Sequence, residues 1–403
     1  MPILVQKYGG SSVADLDKIR AVARAVARRQ HEGNEVVVVV SAMGATTDDL
    51  LAKARSLASA PPRRELDMLL STGERISAAL LAIALHEQGV EAVSLTGSQC
   101  GIITSDRHVD ARIIEVRPVR IQDELARGRV VIVAGFQGMS YRRDITTLGR
   151  GGSDTTAVAL AAALSAEACE IYSDVDGVWS ADPRLVPAAR KIDTIGYPEM
   201  QELACAGAKV LNAEAVEFAK RAGIALYARQ TGKPGEGTLV RVDPPAPAGG
   251  VRGIAHRLRM LVLDAAQQHR DALLEVLQQH QVRSNFVAWR ADGGAGRVEI
   301  WCARDNLHDE ADLRGTLQRA IPELSIADDR GAVSLIGEGI MDDPRHLQQA
   351  LATLAELGTP VHALSTSSFR ISLLLDGERV AEAVRALHHR FIDALPLEVS
   401  PDL

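Results

Sequence analysis

A glycine-rich loop leading into an apolar helix constrains this chain more than any other stretch. Residues 149–156 are Gly-Arg-Gly-Gly-Ser-Asp-Thr-Thr, and residues 157–164 are small or aliphatic without interruption. A helix that is apolar on all sides belongs in a protein core. The glycines allow close approach of a ligand to the backbone, and Ser153 or Asp154 is expected to cap the helix, so that its free N–H groups face an anion. Arg150 carries a planar guanidinium suited to a carboxylate or phosphate.

This loop does not match the common nucleotide-binding patterns. Gly-x-x-x-x-Gly-Lys-Ser/Thr is absent from the sequence, and Gly149-x-Gly151-x-x-Asp154 lacks the third glycine of the dinucleotide-binding pattern. On these residues alone, an ordinary capped helix with a solvated arginine explains the stretch equally well. If phosphate binds here, another fold must hold it.

Residues 1–242 alternate apolar runs with amphipathic segments, which is typical of a parallel sheet whose connections are helices. The five valines at 36–40 indicate a strand buried on both faces. Strands are predicted at 3–8, 35–41, 92–95, 102–104, 130–134, 170–173, 224–228 and, as a last edge strand, 237–240, with helices at 15–30, 48–58, 65–87, 199–205 and 208–221. The predicted fold class is α/β, with a mainly parallel sheet sandwiched by helices.

The pattern changes after a segment rich in proline and glycine. We interpret residues 243–256 as a linker. Beyond it the order βαββαβ occurs twice, over residues 257–328 and 329–403, which predicts two ferredoxin-like modules. Such modules leave strand edges open, so we expect the two to pair with each other or with a second subunit.

Composition restricts the classes of partner. The chain has 403 residues, 46% hydrophobic, and a net charge of −7 without a basic cluster, which favours a small-molecule ligand over nucleic acid or an anionic membrane. The four cysteines lie far apart without metal-ligand spacing and are predicted to be buried thiols in a reducing compartment. No signal peptide is recognised and no apolar run is expected to span a bilayer, so we expect a soluble cytoplasmic protein.

Three further motifs suggest a site. Lys7 and the sequence Gly9-Gly10-Ser11-Ser12 follow the first strand, where open α/β sheets bind ligands. Glu74 stands beside a glycine inside a predicted helix, which costs about 1 kcal/mol relative to alanine and indicates close approach by another group. Residues 174–177, Asp-Val-Asp-Gly, are suited to a ribose or indirectly to Mg²⁺. Taken singly, each motif is explained as well by a plain turn or a solvated charge.

Together these motifs resemble the aspartokinase family. The resemblance rests on residues 7–12, 71–75, 135–138, 147–154, 172–177 and 181–184. It covers the whole chain and implies the amino-acid kinase fold followed by two ACT modules. It also implies transfer of the γ-phosphoryl group of Mg·ATP to the side-chain carboxylate of L-aspartate, the first step towards lysine, threonine and methionine. A carboxylate with a pKa of about 3.9 is already ionised at pH 7, so this reaction needs positioning and charge neutralisation, not a strong general base.

The resemblance implies a role for individual residues. Lys7 would neutralise the transferring phosphoryl group, and Asp154 would hold this lysine. Arg150 would bind a carboxylate of aspartate, and Glu74 its ammonium group. The other substrate-binding positions implied are Ser41, Thr47, Phe136, Gly151, Gly152 and Ser153. The nucleotide-binding positions implied are Lys7, Gly9, Gly10, Ser11, Ser173, Asp174, Asp182, Arg184 and Lys209, and no side chain is assigned as a metal ligand.

Two alternatives remain open at this point. One is an acid kinase of the same fold that acts on glutamate, acetylglutamate or an aspartate analogue. The other is an inactive amino-acid sensor, which should have lost Lys7 or Asp154, whereas both are present. The resemblance also implies a homodimer or higher homo-oligomer formed through the ACT modules.

We predict weakened or altered feedback inhibition. Many aspartokinases bind lysine and threonine between ACT modules, at a loop whose Pro-Gly pair lets backbone amides reach the effector carboxylate. This chain has His269-Arg270 and Pro344-Arg345 at the corresponding places. Kinase assays with lysine, threonine and both together test this, and strong synergistic inhibition at sub-millimolar concentrations would contradict it. Repacked loops, or Arg345 gripping the effector itself, would produce that contrary result.

Overall fold

A computed structural model describes residues 1–149, 151–233, 235–242, 244, 250–280, 282, 284–290, 296–307 and 310–393. The chain divides into two compact units. The first comprises Met1–Val178, Lys191–Ala204 and Lys209–Ala246, and the second comprises Trp179–Arg190, Cys205–Ala208 and Pro247–Leu403.

Fourteen strands and eight helices precede residue 246 in the described part of the chain. The strands are β1 Ile3–Tyr8, β2 Glu35–Val40, β3 Ala92–Leu95, β4 Ile102–Thr104, β5 Ile113–Val116, β6 Val130–Ala134, β7 Gln137–Ser140, β8 Ile145–Thr147, β9 Ala168–Ser173, β10 Val178–Trp179, β11 Lys191–Ile192, β12 Thr194–Gly196, β13 Ala225–Gln230 and β14 Thr238–Arg241. The helices are α1 Leu16–His31, α2 Thr46–Leu57, α3 Arg63–Leu70, α4 Thr72–His86, α5 Val119–Leu125, α6 Gly152–Ala163, α7 Tyr197–Ala206 and α8 Ala213–Ala222.

The first unit is built on an eight-stranded sheet in the order β12-β14-β13-β9-β1-β2-β6-β3. Its pairs are parallel except β13 with β14, so the predicted mainly parallel sheet is confirmed. Val36, Val38 and Val40 pack in one core with α1 and α4, and Val39 faces the other side, where α6 begins. The valine run is therefore buried on both faces, as predicted.

The predicted position of the last strand is wrong. β14 lies between β12 and β13, and the edge is β12, a strand of three residues with no strong apolar pattern. A second, four-stranded sheet in the order β5-β4-β7-β8 was also missed, and β4 belongs to it and not to the main sheet. Strand order depends on contacts distant in sequence, which local patterns do not encode.

The helix predicted over 65–87 is divided into α3 and α4 at Ser71. Gly73 is the second residue of α4, and a Cβ there would lie 2.8 Å from Cβ of Ala42. The close approach predicted at this glycine is confirmed. Among the described residues, Arg63–His86 is long and apolar enough for a membrane span by length and composition alone, although 50% of its most apolar window is buried, as in core helices of soluble proteins. The expectation concerned uninterrupted apolar runs, and this segment is interrupted by Asp67, Glu74 and Arg75.

The second unit contains two modules that share one sheet. Its elements are β15 Gly253–Ala266, α9 Arg270–Gln279, β16 Ser284–Arg290, β17 Arg297–Ala303, α10 Glu310–Ala320, β18 Ser325–Ile336, α11 Arg345–Glu356, β19 Ala363–Ser367, β20 Arg370–Asp376 and α12 Val380–His388. The strand order is β16-β17-β15-β18-β20-β19. The modules are joined because β15 and β18 run through both of them, which differs from the predicted pairing of one module's edge with the other's.

The strands at the centre of this sheet are longer than predicted. β15 begins at Gly253, inside the predicted linker, and β18 runs through the predicted module boundary at residues 328 and 329. Its polar segment 328–331 continues as strand, with Arg330 opposite Asp376 of β20 in unbroken register and opposite Met260 of β15, where the β15 pairing shifts register. The strand predicted at 395–399 lies outside the described residues.

The cysteines form no disulfide within the described chain. Cys100, Cys169 and Cys302 are buried, and Cys205 is half-buried. Burial raises the pKa of the Cys302 thiol to about 12, so it remains protonated at neutral pH.

Two glycines between β13 and β14 provide a matched test of backbone strain and packing. Gly232 and Gly237 have φ of +77° and +70°, but a Cβ on Gly232 would meet nothing within 4 Å, whereas one on Gly237 would collide with the carbonyl oxygen of Ala228. We expect Gly232→Ala to lower the free energy of unfolding by about 1 kcal/mol, and Gly237→Ala by about 3 kcal/mol or more. Urea unfolding followed by circular dichroism measures both, and equal losses would contradict the close contact between Gly237 and Ala228.

Candidate active site

A buried ion pair joins β1 to α6. Lys7 Nζ lies 2.6 Å from Asp154 Oδ1, and the two side chains are only 11% and 12% exposed. Lys7 is the penultimate residue of β1, and its neighbours Gln6 and Tyr8 point to the opposite face of the sheet. The predicted partnership of Lys7 with Asp154 is therefore present in the geometry.

The expected caps of α6 are wrong. Gly151 is the N-cap residue, with φ of +76°, and no side chain caps the helix. The Gly152 and Asp154 N–H groups donate to the carbonyls of Gly149 and Gly151, at 3.1 and 3.0 Å. Because the glycine loop satisfies these amides itself, the Asp154 carboxylate is left for Lys7.

The loop after β1 packs tightly on the loop after β2. The Gly44 N–H donates to the Gly10 carbonyl at 3.1 Å, and a Cβ on Gly10 would lie 2.9 Å from the Ala42 carbonyl oxygen. The Gly9 N–H donates to the carbonyl of Tyr172 at 3.1 Å, so this amide is already used in the structure. Only glycine fits at position 10.

Glu74 is a buried carboxylate with one unsatisfied oxygen. Its side chain lies in the first turn of α4 with 3% of the residue exposed, and Oε1 accepts from the Ala42 N–H at 3.1 Å. Oε2 has no hydrogen-bond partner among the described atoms. Burial raises the pKa of Glu74 to about 7, against the opposing effect of hydrogen bonds from backbone N–H groups. An ammonium ligand would satisfy this oxygen and favour the ionised form.

The turn after β6 brings Phe136 onto the start of α6. Phe136 has φ of +66°, and its N–H donates to Thr156 Oγ1 at 3.1 Å. The Thr156 hydroxyl donates to the Gly152 carbonyl at 2.8 Å, and a Cβ on Gly152 would lie 3.0 Å from Cδ2 of Phe136. A Cβ on Gly135 would similarly lie 2.9 Å from Ser153 Oγ. Close packing thus brings Phe136, Gly152 and Ser153 together.

The remaining predicted positions are distributed as follows. Ser41 follows β2, with its N–H donating to the Tyr8 carbonyl at 3.0 Å, and Thr47 lies in the first turn of α2. Ser173 ends β9 beside Asp174, whose carbonyl accepts from the Gln230 side chain at 3.0 Å. Ser11 lies in the turn after β1, and Lys209 lies between α7 and α8. Arg150 lies outside the described residues.

Asp182 and Arg184 belong to the second unit, where they pair at 2.7 Å. The hydrogen bond from Arg184 is the main cause of the lowered pKa of Asp182. This local pairing does not test their predicted contact with nucleotide.

Sequence reasoning missed two supporting residues. Thr156 links Phe136 to Gly152, and its signal was a buried hydroxyl at the start of an otherwise apolar helix. Asn212 caps α8 by accepting from the Glu214 and Ala215 N–H groups, and a Cβ on Gly151 would collide with its side chain. Asparagine before a helix is a common cap, so only the contact with Gly151 was unpredictable.

Within the described part of the chain, no group of three or more His, Cys, Asp or Glu side chains has the arrangement of a metal site.

Comparisons with known proteins agree with this geometry. The model of the amino acid kinase family matches residues 2–228, and an ACT domain model matches residues 333–391. The chain is therefore an amino acid kinase with a C-terminal ACT region. Its Lys7–Asp154 pair lies beside two glycine-containing loops at the carboxyl end of the parallel sheet.

Curated relatives and solved structures narrow the class. The aspartokinase of Mycolicibacterium smegmatis is 44% identical, covering 97% of this chain and 96% of the relative, and that of Corynebacterium glutamicum is 41% identical over the same shares. The structure of Escherichia coli aspartokinase III in complex with aspartate and ADP matches with a TM-score of 0.81 and 25% identity, covering 96% of this chain and 99% of that one. Aspartate kinase from Synechocystis matches with a TM-score of 0.56 and 37% identity, covering 99% and 71%. The chain belongs to the aspartokinase family and is an aspartate kinase.

The ionised form of Glu74 should destabilise the ligand-free protein. A carboxyl whose folded pKa of about 7 exceeds its unfolded value of about 4.5 stabilises the fold below the unfolded pKa, and this contribution is lost as pH rises to about 7. We expect Glu74→Gln to raise the free energy of unfolding at pH 8 by about 3 kcal/mol, and to change it little at pH 4. Glu87→Gln, on the exposed end of α4, is the matched control. A loss of stability at pH 8 in Glu74→Gln would contradict this assignment.

Proposed function

We propose that this chain transfers the γ-phosphoryl group of Mg-bound ATP to the side-chain carboxylate of L-aspartate, at the site built around Lys7 and Asp154, with 4-phospho-L-aspartate and ADP as products. The buried ion pair at 2.6 Å is the observation that carries this assignment. It places a cation at the end of a central strand without leaving a buried charge uncompensated.

The chemistry needs no strong base. The substrate carboxylate is ionised at neutral pH, so it attacks the γ-phosphorus directly while ADP leaves. Lys7 neutralises charge on the transferring group, and Asp154 fixes the orientation of Lys7. Neither residue gains or loses a proton in this scheme.

Substrate recognition uses opposite charges at two places. The unsatisfied Oε2 of Glu74 accepts from the substrate ammonium group, and Arg150 pairs with a substrate carboxylate. The remaining contacts are assigned to positions just after β2 and β6 and at the starts of α2 and α6. They involve Ser41, Thr47, Phe136, Gly151, Gly152 and Ser153.

The nucleotide follows the loop after β1 and the end of β9. Its proposed contacts are Gly9, Gly10, Ser11, Ser173, Asp174, Asp182, Arg184 and Lys209. When bound with the nucleotide, Mg²⁺ would offset the charge of the phosphates, and Asp154 or Asp174 would be the carboxylates to hold it. The relative solved with aspartate and ADP supports ATP as the donor.

The cellular setting follows from the same assignment. The family belongs to amino-acid biosynthesis, and we assign this chain to the route that supplies lysine, threonine and methionine. We infer a cytoplasmic homodimer or higher homo-oligomer assembled through the ACT modules, without nucleic acid or membrane as partner. We assign the kinase function to residues 1–242 and the ACT region to the strands and helices from Gly253 onward.

A hydroxamate assay tests the function. With ATP and Mg²⁺, we expect phosphorylation of L-aspartate but not of L-glutamate or N-acetyl-L-glutamate. Preference for another acid would favour a kinase of different specificity, and no turnover with any acid would favour an inactive sensor.

Substitutions test the residue roles. Lys7→Ala and Asp154→Ala should each lower kcat by about 10³-fold, because each removes charge or positioning that acts mainly in the transition state. Lys53→Ala, on the exposed face of α2, is the control and should retain full turnover. Near wild-type kcat in either site variant would refute its assigned role.

A further inference from the structure

A second buried carboxylate, Asp67, lies outside the reacting groups. It is fully buried on α3, and its Oδ1 accepts from the Thr147 hydroxyl at 2.5 Å and from the Val109 N–H at 3.0 Å. Its Oδ2 lies 2.6 Å from Nδ1 of His108. One side chain therefore ties three separate segments of the first unit together.

Two of these segments adjoin the glycine-rich loop that begins at Gly149: β8 precedes it in the chain, and the segment 108–111 packs against it. Thr147 ends β8, two residues before Gly149, and its carbonyl accepts from the Ala111 N–H at 2.9 Å. Gly149 has φ of +76°, and a Cβ there would lie 2.8 Å from Oδ1 of Asp110. The segment 108–111 and the residues preceding the glycine-rich loop are thus packed as one piece, with Asp67 at its centre.

The backbone of this piece is held in an unfavourable conformation. Val109 has φ of +74°, a region that β-branched residues rarely adopt. Such conformations persist where the surroundings determine them, and they cluster at functional sites. The hydrogen bond from the Val109 N–H to Asp67 is one contact that holds it here.

Asp67 is also coupled to Glu74. The two residues are seven positions apart on α3 and α4, or about 10 Å along a helix axis. The Ser71 N–H donates to the Asp67 carbonyl at 3.0 Å, which continues the helical hydrogen bonding across the junction. The helical segment formed by α3 and α4 therefore carries both Glu74, which is assigned to the substrate ammonium group, and Asp67, which bonds to Thr147 and Val109.

We propose that Asp67 is a positioning residue for aspartate binding. Through Thr147 and the segment 108–111, it fixes Gly149 and the start of α6 relative to Glu74, so that the substrate contacts proposed at Gly152 and Ser153 keep a fixed separation from Glu74. The inference rests on the proposed function, because it takes this loop and Glu74 as the substrate contacts.

Adjacent threonines provide a matched test. Thr147 and Thr146 are both fully buried in β8. The Thr147 hydroxyl bonds to Asp67, whereas the Thr146 hydroxyl bonds to Thr104 within the four-stranded sheet. Thr147→Val should raise the KM for aspartate about tenfold and leave the KM for ATP within twofold. Thr146→Val loses a comparable hydrogen bond and should leave both values unchanged.

Substitution of the carboxylate itself provides the second arm. Asp67→Ala should raise the KM for aspartate more than Thr147→Val does. Asp67→Asn keeps an acceptor oxygen and should therefore raise this KM less than Asp67→Ala does. Equal effects of Thr147→Val and Thr146→Val, or parallel changes in the ATP KM, would overturn the inference and indicate a merely structural role. Wild-type protein without aspartate-dependent turnover would instead overturn the proposed function, and the inference with it.

Discussion

The ion pair between Lys7 and Asp154 requires that a central strand and a core helix meet at their ends. β1 supplies the lysine between β2 and β9, and α6 supplies the aspartate. Two charges that are each about nine-tenths buried are tolerated because they compensate each other and retain a solvent-facing side. A polyphosphate arriving at this edge meets a cation that is already desolvated and oriented, so little reorganisation is needed for it to bind the transferring group.

Glycine explains why the surrounding loops can converge on this pair. A Cβ on Gly10, Gly135 or Gly152 would approach atoms of a neighbouring segment to within 3 Å. The turn after β1 therefore contacts the backbone of the turn after β2, and the turn after β6 packs against side chains at the start of α6. The cost is visible at Phe136 and Val109, which both adopt left-handed backbone conformations. Strain concentrated beside the site is what a rigid substrate cradle would require.

Much of this architecture was predictable because it is recorded in local patterns. The apolar periodicities predicted β1, β2, β6 and α1 near their observed positions, and glycine at position 73 correctly indicated close packing. Contacts distant in sequence were not available to such reasoning. Asp154 fits the sequence pattern of a helix cap, yet its side chain pairs with Lys7, which lies about 150 residues earlier in the chain. Glu74 was best explained locally as a solvated charge, and only its burial against Ala42 shows an oxygen without a partner. Its role, like that of Arg150, came from the family resemblance.

The continuous strands β15 and β18 make the two C-terminal modules mechanically inseparable. Gly253–Arg257 of β15 pairs with Ala332–Ile336, whereas the later part of the same strand serves the other module. Transplanting either module alone into another protein would leave half of a long strand without its neighbour and expose an edge prone to aggregation. Duplication or exchange of this region during evolution would therefore have to transfer both C-terminal modules together.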